Sequence, residues 1–330
     1  MKQENIFWIA SCVPDGGAYA YTVPPEGKAE CIKKIPMSSP MWLTYSDGRL
    51  WALLRAPFAD SDESGVAAFD PRTGACTVPP MPTHGTVGCH MAIDHGDIYV
   101  ANYVSGSLCR LPDGETVVHR GQGPDPVRQT GPHVHSVFFS PDKKYVLSCD
   151  LGLDTIFVYD RALKEVGRAN VPAGHGVRHL VFSRVGDRVF AVNEMGSSIT
   201  TFAWADGHLT AGETVSVLPD GYTGQNKASA IRLSPDGKQL YITNRGANTV
   251  ARFAVSETGL TLLDHTDTRG EEARDFRLLS DGRHAVCTDQ FSDKVVLYRV
   301  GDDGSLAFES EFPLPSPLAV EEMQLSEVTG

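Results

Sequence analysis

The stretch GPHVHSVFFSPDKKYVLSCD, residues 131–150, contains two apolar runs that are separated by a polar turn and followed by Asp150. The same pattern recurs along the chain, with turns such as SPDG and LSDG in place of SPDK. Valine, isoleucine, tyrosine and phenylalanine favour strands, and Asp-Gly favours the tight turn of a hairpin. Each copy therefore predicts a β-hairpin, and the recurrence of the copies decides the fold.

The residue that ends the second apolar run marks each copy. Successive marks lie between 43 and 51 residues apart. A repeat of about 40–50 residues is typical of a four-stranded propeller blade, so seven marks predict seven blades. The marks are Ser11, Leu54, Asn102, Asp150, Asn193, Asn244 and Asp289.

The two ends of the chain predict how the ring closes. The first mark comes so early that no first strand fits before it, and LPSPLAVEEM, residues 314–323, reads as a first strand without a hairpin. We predict an all-β, seven-bladed β-propeller of four-stranded antiparallel blades, closed by pairing of the N- and C-terminal strands. It forms a single domain, residues 1–330, with almost no helix. The alternative, a pair of β-sandwiches, does not show this period.

Composition excludes several classes of protein. The formal net charge of −12 argues against nucleic acid as a partner. No apolar run approaches membrane-spanning length, and the N-terminal run is too short for a signal peptide. The seven cysteines form no CxxC motif, which is typical of reduced thiols. We expect a cytoplasmic monomer or weak homodimer that binds a small ligand.

Two positions in the repeat vary in a way that indicates a site. One lies fifteen residues before the mark and the other lies one residue after it. The ends of an antiparallel hairpin are neighbours, and the first strand of a blade is innermost, so both positions should surround the mouth of the central channel. A structural ring would repeat one residue type, whereas titratable groups of mixed kind favour a functional site. The residues are His135, Arg178, Ser229, Arg274 and, allowing for a deletion in the turn of that copy, Cys89 in the first set, and Tyr103, Leu151, Glu194, Arg245 and Gln290 in the second.

The motifs resemble a known family, the seven-bladed propeller lactonases, which are 6-phosphogluconolactonase-like and include carboxymuconate-lactonizing enzymes. The resemblance covers residues 85–300. It rests on YVANYVSGSL, on residues 131–160, and on GVRHLVFSRVGDRVFAVNE, IRLSPDGKQLYITNRGANTV and ARDFRLLSDGRHAVCTDQFSDKVVLYRV.

The resemblance implies a lactonase with its site at the channel mouth, and this site needs no cofactor. By motif it implies His135 or its neighbour His133, the Arg178–His179 pair, Glu194 and Arg245 as site residues. We predict Glu194 or His135 as general base and Arg178 as the oxyanion donor. Arg245 and Arg274 would hold a phosphate or carboxylate of the substrate, most specifically 6-phosphogluconolactone, with His133, His179 and Gln290 as further contacts.

Other functions stay open at this point. A muconate-type cycloisomerase would need the same base and the same arginines, and a propeller that only binds a ligand is also compatible with the fold. Asn102, Asn193, Asn244 and Glu194 could surround Ca²⁺, but the nearby arginines would repel the ion. Zinc at His133 and His135 lacks a third ligand. We therefore predict no metal, and we expect Asn and Asp at the marks to cap loops.

Overall fold

The computed structural model describes residues 6–24 and 27–323. The outermost parts of the predicted domain, residues 1–5 and 324–330, and residues 25–26 lie outside the described residues. The chain forms seven four-stranded antiparallel sheets, which confirms the predicted seven-bladed β-propeller. Within the described residues the only helix is a 3-10 turn at Gln290–Ser292. No helix in this part of the chain is long and apolar enough to cross a membrane.

The first four blades follow the chain, and each mark predicted from the sequence is the last or next-to-last residue of a second strand. Blade 1 contains β1 (Ile6–Ser11), β2 (Gly17–Thr22), β3 (Glu30–Pro36) and β28 (Pro317–Met323). Blade 2 contains β4 (Pro40–Ser46), β5 (Arg49–Leu54), β6 (Glu63–Phe69) and β7 (Cys76–Thr86). Blade 3 contains β8 (Gly88–Asp94), β9 (Asp97–Asn102), β10 (Ser107–Leu111) and β11 (Glu115–Val118). Blade 4 contains β12 (Val134–Phe139), β13 (Tyr145–Asp150), β14 (Thr155–Asp160) and β15 (Glu165–Asn170).

The last three blades complete the ring in the same order. Blade 5 contains β16 (Val177–Phe182), β17 (Arg188–Asn193), β18 (Ser198–Ala205) and β19 (His208–Ser216). Blade 6 contains β20 (Lys227–Leu233), β21 (Gln239–Arg245), β22 (Thr249–Ser256) and β23 (Gly259–Asp267). Blade 7 contains β24 (Ala273–Leu278), β25 (His284–Asp289), β26 (Lys294–Val300) and β27 (Leu306–Pro313).

The closure joins both chain ends in blade 1. β28 pairs antiparallel with β1, with Ile9 opposite Val320 and Phe7 opposite Glu322. β28 is thus the innermost strand of this blade, and it contacts the innermost strands of its neighbours, β4 and β24. The predicted pairing of the N- and C-terminal strands is confirmed, and it removes two sheet edges that would otherwise be open.

The core lies between neighbouring blades. Tyr99 of blade 3, for example, packs with Val137 and Phe157 of blade 4, and all three are buried. Each fully buried aliphatic or aromatic side chain stabilises the fold by about 1.5–3 kcal/mol relative to an exposed one. Strand alternation gives the middle strands two apolar faces, because each sheet is covered by a blade on either side.

A β-bulge recurs at one level of the inner strands. In β12, Val134 pairs with Asp150 and Ser136 pairs with Cys149, so His135 is left out of the pairing. Such an extra residue re-aims its side chain relative to regular alternation. The same shift leaves out one residue in four other inner strands. These residues are Met41 in β4, Cys89 in β8, Arg178 in β16 and Arg274 in β24.

Candidate active site

The bulges surround one end of the central channel, where a cavity of about 380 Å³ opens. We call it the mouth cavity. Both sets of positions that were predicted from the repeat contribute to its wall. The inner strands supply Met41, Cys89, His135 and Arg274. The ends of the second strands supply Cys12, Arg55, Tyr103, Glu194, Arg245 and Gln290.

Glu194 is the anionic centre of this wall. It follows β17 directly, and its side chain is only 4% exposed. Its Oε2 forms an ion pair with Arg245 Nη2 at 2.6 Å and lies 3.3 Å from Arg178 Nε, while its Oε1 accepts a hydrogen bond from Arg128 Nη2 at 2.7 Å. Three guanidinium groups from three different segments therefore converge on one carboxylate.

This convergence decides the charge of Glu194. Burial alone would raise the pKa of the carboxyl group, but the guanidinium groups of Arg245, Arg178 and Arg128 outweigh it and hold the pKa well below its usual range. Opposite charges at this distance favour the ionised form. Glu194 is thus a carboxylate throughout the neutral range, and its basicity is weak.

Arg245 connects Glu194 to a second carboxylate. It is the last residue of β21, and its Nη1 donates to Glu272 Oε1 at 2.9 Å. Its Nε and Nη2 also donate to the backbone oxygens of Lys227 and Ala228. Gly246 follows with a φ of +127°, and a Cβ there would lie 2.2 Å from the Gln225 oxygen. Only glycine fits this position without strain, and its close packing fixes the turn that begins at Arg245.

Arg178 has less compensation than Arg245. Its Nη1 donates to the Ser229 oxygen at 2.8 Å, whereas its buried Nε makes no hydrogen bond within the described residues. Burial, together with the nearby charges of Arg245 and Arg274, lowers the pKa of the Arg178 guanidinium. An anion that forms next to Arg178 would relieve this unfavourable environment.

His135 lies beside Glu194 on the other side of the arginines. Its Nε2 is 4.0 Å from Glu194 Oε2, and its buried Nδ1 has no hydrogen-bond partner within the described part of the chain. Burial and the charge of Arg178 hold the pKa of His135 well below the usual value of 6.5. The ring is therefore neutral at neutral pH. The ring edge of Tyr103 packs against it, with the two centroids 5.5 Å apart.

The two other predicted histidines lie outside the mouth cavity. His179 lies deeper in the channel, with its ring centroid 5.3 Å from that of His135, and it is 2% exposed. His133 stacks on Tyr103 at 4.5 Å, and its Nδ1 lies 3.1 Å from the Tyr103 oxygen. Neither lines the cavity, so any contact with a ligand would be indirect in this conformation.

Arg274 and Gln290 both line the cavity, as the repeat predicted. Gln290 Nε2 donates to Ser316 Oγ at 3.3 Å. Within the described residues, the Arg274 side chain forms no ion pair with a carboxylate. Burial and the charge of Arg245 lower the pKa of Arg274, and the carboxylates of Glu194 and Glu272 offset this only in part.

Sequence reasoning missed several residues of the wall, among them Arg128, Cys12 and Arg55. Arg128 comes from the long connection between β11 and β12, which is not part of the repeat. Gln129 anchors this connection, because its Nε2 donates to the Leu151 oxygen and to Asp154 Oδ1. Cys12 and Arg55 do follow the repeat. They come one residue after the marks Ser11 and Leu54, so extending the same count to the two weakest copies would have found them.

Asp150 and the Asn marks bind the strands and loops around them. Asp150 Oδ1 accepts hydrogen bonds from the backbone nitrogens of His133 and Leu153, and Asn102 Nδ2 donates to the Thr83 oxygen. Asn193 and Asn244 likewise bond to neighbouring strands and loops. Among the described residues, no group of three His, Cys, Asp or Glu side chains is arranged to hold a metal ion.

Two of the thiols line the mouth cavity. Burial raises the pKa of the Cys89 thiol to about 12, and its Sγ donates to the His135 oxygen at 3.0 Å. Such a thiol is a neutral packing group, not a nucleophile. All seven cysteines are free.

Comparisons with known proteins agree with this architecture. The family model described as "Lactonase, 7-bladed beta-propeller" matches residues 7–322. The protein YwcC of Lactococcus lactis is 34% identical over 83% of this chain and 85% of that protein. The 6-phosphogluconolactonase of Bacillus subtilis is 28% identical over 92% of this chain and 93% of that enzyme. A crystal structure of a protein from Lactobacillus plantarum superimposes with a TM-score of 0.90 at 30% identity, covering 98% of this chain and 100% of that one.

Proposed function

The chain belongs to the family of seven-bladed β-propeller lactonases, and from that premise we propose that it hydrolyses 6-phosphogluconolactone to 6-phosphogluconate. The observation that carries the proposal is the convergence of Arg128, Arg178 and Arg245 on Glu194, next to the neutral ring of His135. All of these residues except the buried Arg178 line the mouth cavity, and Arg178 Nε lies 3.3 Å from Glu194 Oε2. Lactone opening needs an activated water, a stabilised oxyanion and a proton for the leaving alkoxide.

His135 is the better of the two predicted bases. Glu194 shares both of its oxygens with guanidinium groups, and its pKa is far below the range in which a carboxylate removes a proton from water efficiently. His135 is neutral, so a ring nitrogen has a lone pair for a proton. Once the proton is transferred, the imidazolium would lie next to the Glu194 carboxylate and be stabilised by it.

Arg178 would stabilise the oxyanion. Its Nη2 makes no hydrogen bond within the described residues, and its charge is poorly compensated in the free protein. Preorganised donors of this kind are most effective where water is excluded. A negative charge develops on the carbonyl oxygen as the reaction proceeds. The attraction of Arg178 to this charge would therefore lower the free energy of the transition state more than that of the bound lactone.

The proposed reaction proceeds in two steps. Water attacks the carbonyl carbon, a new C–O bond forms, and His135 takes the proton, while the carbonyl oxygen becomes the oxyanion beside Arg178. The tetrahedral intermediate then collapses, the ring C–O bond breaks, and the imidazolium returns its proton to the leaving oxygen. The product is the open hydroxy acid, and the enzyme regains its initial charge. No cofactor takes part in either step.

The remaining predicted residues would bind a small anionic substrate. Arg274 faces the cavity without a carboxylate partner, and Gln290 offers an amide beside it. Arg245, in contrast, already bonds to Glu194 and Glu272, so its part would be to hold Glu194 in place. We further propose that the reaction takes place in the cytoplasm as part of sugar-phosphate metabolism, by a monomer or weak homodimer. The seven free thiols are typical of a reducing compartment.

The excess of cations at the mouth also favours a diacid substrate, so a muconate-type cycloisomerase is the second candidate.

One assay tests both the lactonase and the cycloisomerase. Wild type is measured on 6-phosphogluconolactone, glucono-δ-lactone and carboxymuconate, with spontaneous hydrolysis subtracted. We expect lactone hydrolysis, and a loss of about 10²- to 10⁴-fold in kcat for His135→Asn and for Arg178→Gln. His208→Asn, at an exposed start of β19, is the matched control and should keep the full rate. Full rates in both site variants would refute the assignment, and turnover of carboxymuconate alone would favour the cycloisomerase.

A further inference from the structure

The charges around the mouth cavity are not evenly compensated. Four cationic side chains are engaged by two carboxylates. Arg128, Arg178 and Arg245 lie within 3.3 Å of Glu194, and Arg245 and Lys227 lie within 3.5 Å of Glu272. Two further arginines line the same cavity, Arg55 and Arg274, and within the described residues neither forms an ion pair.

These two arginines belong to one side of the mouth. Arg55 follows β5 in blade 2, and Arg274 is the bulge residue of β24 in blade 7, so blade 1 lies between them. The charges of both arginines act on the Cys12 thiol, which belongs to blade 1. Burial raises the pKa of Cys12, and the charges of Arg55 and Arg274 act against that rise. Both guanidinium groups are therefore close to the same point of the cavity wall.

The wall around them is apolar. Met41, Val87 and Leu318 line the cavity on this side, and the Cys12 Sγ contacts Met41 Sδ at 3.4 Å. An apolar wall lowers the local dielectric beside the half-buried Arg274, which strengthens the attraction between its guanidinium and an anion, whereas Arg55 is exposed. The carboxylates of Glu194 and Glu272 also line the cavity and attract Arg274, but within the described residues neither forms an ion pair with Arg274 or Arg55.

We propose that Arg55 and Arg274 together form the subsite for a phosphate monoester dianion. Two guanidinium charges without an ion-pair partner among the described residues match the charge of −1.5 to −2 that such a group has at neutral pH. Guanidinium groups also present paired donors in the geometry that phosphate oxygens accept. The identification of the ligand as the phosphate of a sugar-acid lactone rests on the proposed function, whereas the subsite itself rests on the arrangement of charges.

The subsite fixes how the substrate lies. With its phosphate between blades 7 and 2, the lactone ring extends across the mouth toward His135 and Glu194 in blades 4 and 5. Arg55 then determines specificity without touching the reacting atoms. Its loss should affect phosphorylated lactones more than unphosphorylated ones, which a merely structural role would not do.

The test compares Arg55→Gln and Arg274→Gln with Arg49→Gln. Arg49 is an exposed residue that begins β5, six residues before Arg55, so its variant removes the same charge from the same blade. Initial rates are measured on 6-phosphogluconolactone and glucono-δ-lactone, and the ratio of the two kcat/KM values is the readout. We expect this ratio to fall about 10- to 100-fold in Arg55→Gln and in Arg274→Gln, and to stay at the wild-type value in Arg49→Gln.

A second measurement separates the subsite from the chemistry. Binding of 6-phosphogluconate and of gluconate is measured by calorimetry, which requires no turnover. If wild type hydrolyses no lactone but binds 6-phosphogluconate, and Arg55→Gln weakens that binding about tenfold or more, the subsite stands and the proposed function fails. If wild type hydrolyses lactones but binds 6-phosphogluconate no better than gluconate, the subsite is refuted and the function stands. Equal losses on both lactones in the two site variants would also overturn it.

Discussion

The two sides of the mouth cavity differ in whether their charged side chains form ion pairs. On the side of blades 5 and 6, Glu194 is buried and bonded to Arg245 and Arg128, with Arg178 beside it. On the side of blade 7, Arg274 has no carboxylate partner within the described residues. Just behind it, Asp289 is fully buried and neither of its oxygens has a hydrogen-bond partner.

Glu194 and Asp289 show that partners, and not burial alone, set the charge state. Both carboxyl groups lie at the end of a second strand. Arginines hold the pKa of Glu194 well below its usual range despite burial, whereas burial raises the pKa of Asp289 to about 7. On the first side, ion pairs hold the charged residues of the proposed reaction in place. On the second side, Arg274 has no ion-pair partner and is available to a ligand, and the Asp289 carboxyl group has no hydrogen-bond partner among the described residues.

Removal of Glu194 should have the largest effect. Glu194→Gln leaves Arg178 and Arg245 buried without their shared anion, so we expect the free energy of unfolding to fall by about 3–5 kcal/mol. Chemical denaturation at pH 7 measures this value. Glu165→Gln is the matched control, because it breaks a half-exposed pair with Arg168 on the outer strand of blade 4, and its effect should be far smaller. Similar losses in both variants would mean that the arginine cluster is not held by Glu194.

Replacement of Asp289 should have the opposite effect and raise the free energy of unfolding. Blades 3, 5 and 6 have asparagine at this mark, and Asn102 Nδ2 donates to the Thr83 oxygen. Thr268, which directly follows the last strand of blade 6, stands at the matching place for the mark of blade 7, because it bonds to Gly270 as Thr83 bonds to Gly85. Asp289→Asn should therefore gain a partner and stabilise the protein at pH 8 on the order of 1–3 kcal/mol.

The pH dependence of this gain follows from the raised pKa. Below about pH 4 the carboxyl group is protonated in both the folded and the unfolded chain, so it imposes no penalty. Stability falls as the pH rises from there to about 7, because only the unfolded chain ionises freely. Melting curves of Asp289→Asn and wild type should thus converge toward pH 4 and diverge toward pH 8. Asp220→Asn, at an exposed turn, serves as control, and a variant less stable than wild type at pH 8 would contradict the argument.

The sequence predicts the repeated parts of the molecule well. Regularly spaced hairpin turns predict the seven blades, and the early first mark predicts the closure by β28. The same count places Glu194, Arg245 and Arg274 at one mouth, because equivalent positions in a propeller lie at one level of the channel. His135 and His133 could not be separated by alternation alone. The bulge separates them, since it leaves only His135 out of the strand pairing.

What the sequence could not predict is the full set of charges that compensate one another. Arg128 reaches Glu194 from a connection that has no counterpart in the other blades. Arg245 fits every register argument for a ligand contact, yet it bonds to two carboxylates of the protein. Such ion pairs join side chains from different blades. Arg245 and Glu272, for example, are 27 residues apart in the chain. No local pattern encodes them.

The smallest expected effect is on the pH profile, and it separates the two sides of the mouth. With glucono-δ-lactone, kcat/KM should show no inflection near 6.5, because the lowered pKa keeps His135 unprotonated below that pH. With 6-phosphogluconolactone, kcat/KM should fall by less than about tenfold as the substrate phosphate gains a proton near pH 6 and loses charge for Arg55 and Arg274. The inflection then belongs to the substrate, so it should persist in Arg49→Gln and weaken in Arg55→Gln. An inflection near 6.5 with both lactones would instead assign it to the enzyme, and would show that His135 titrates in the usual range.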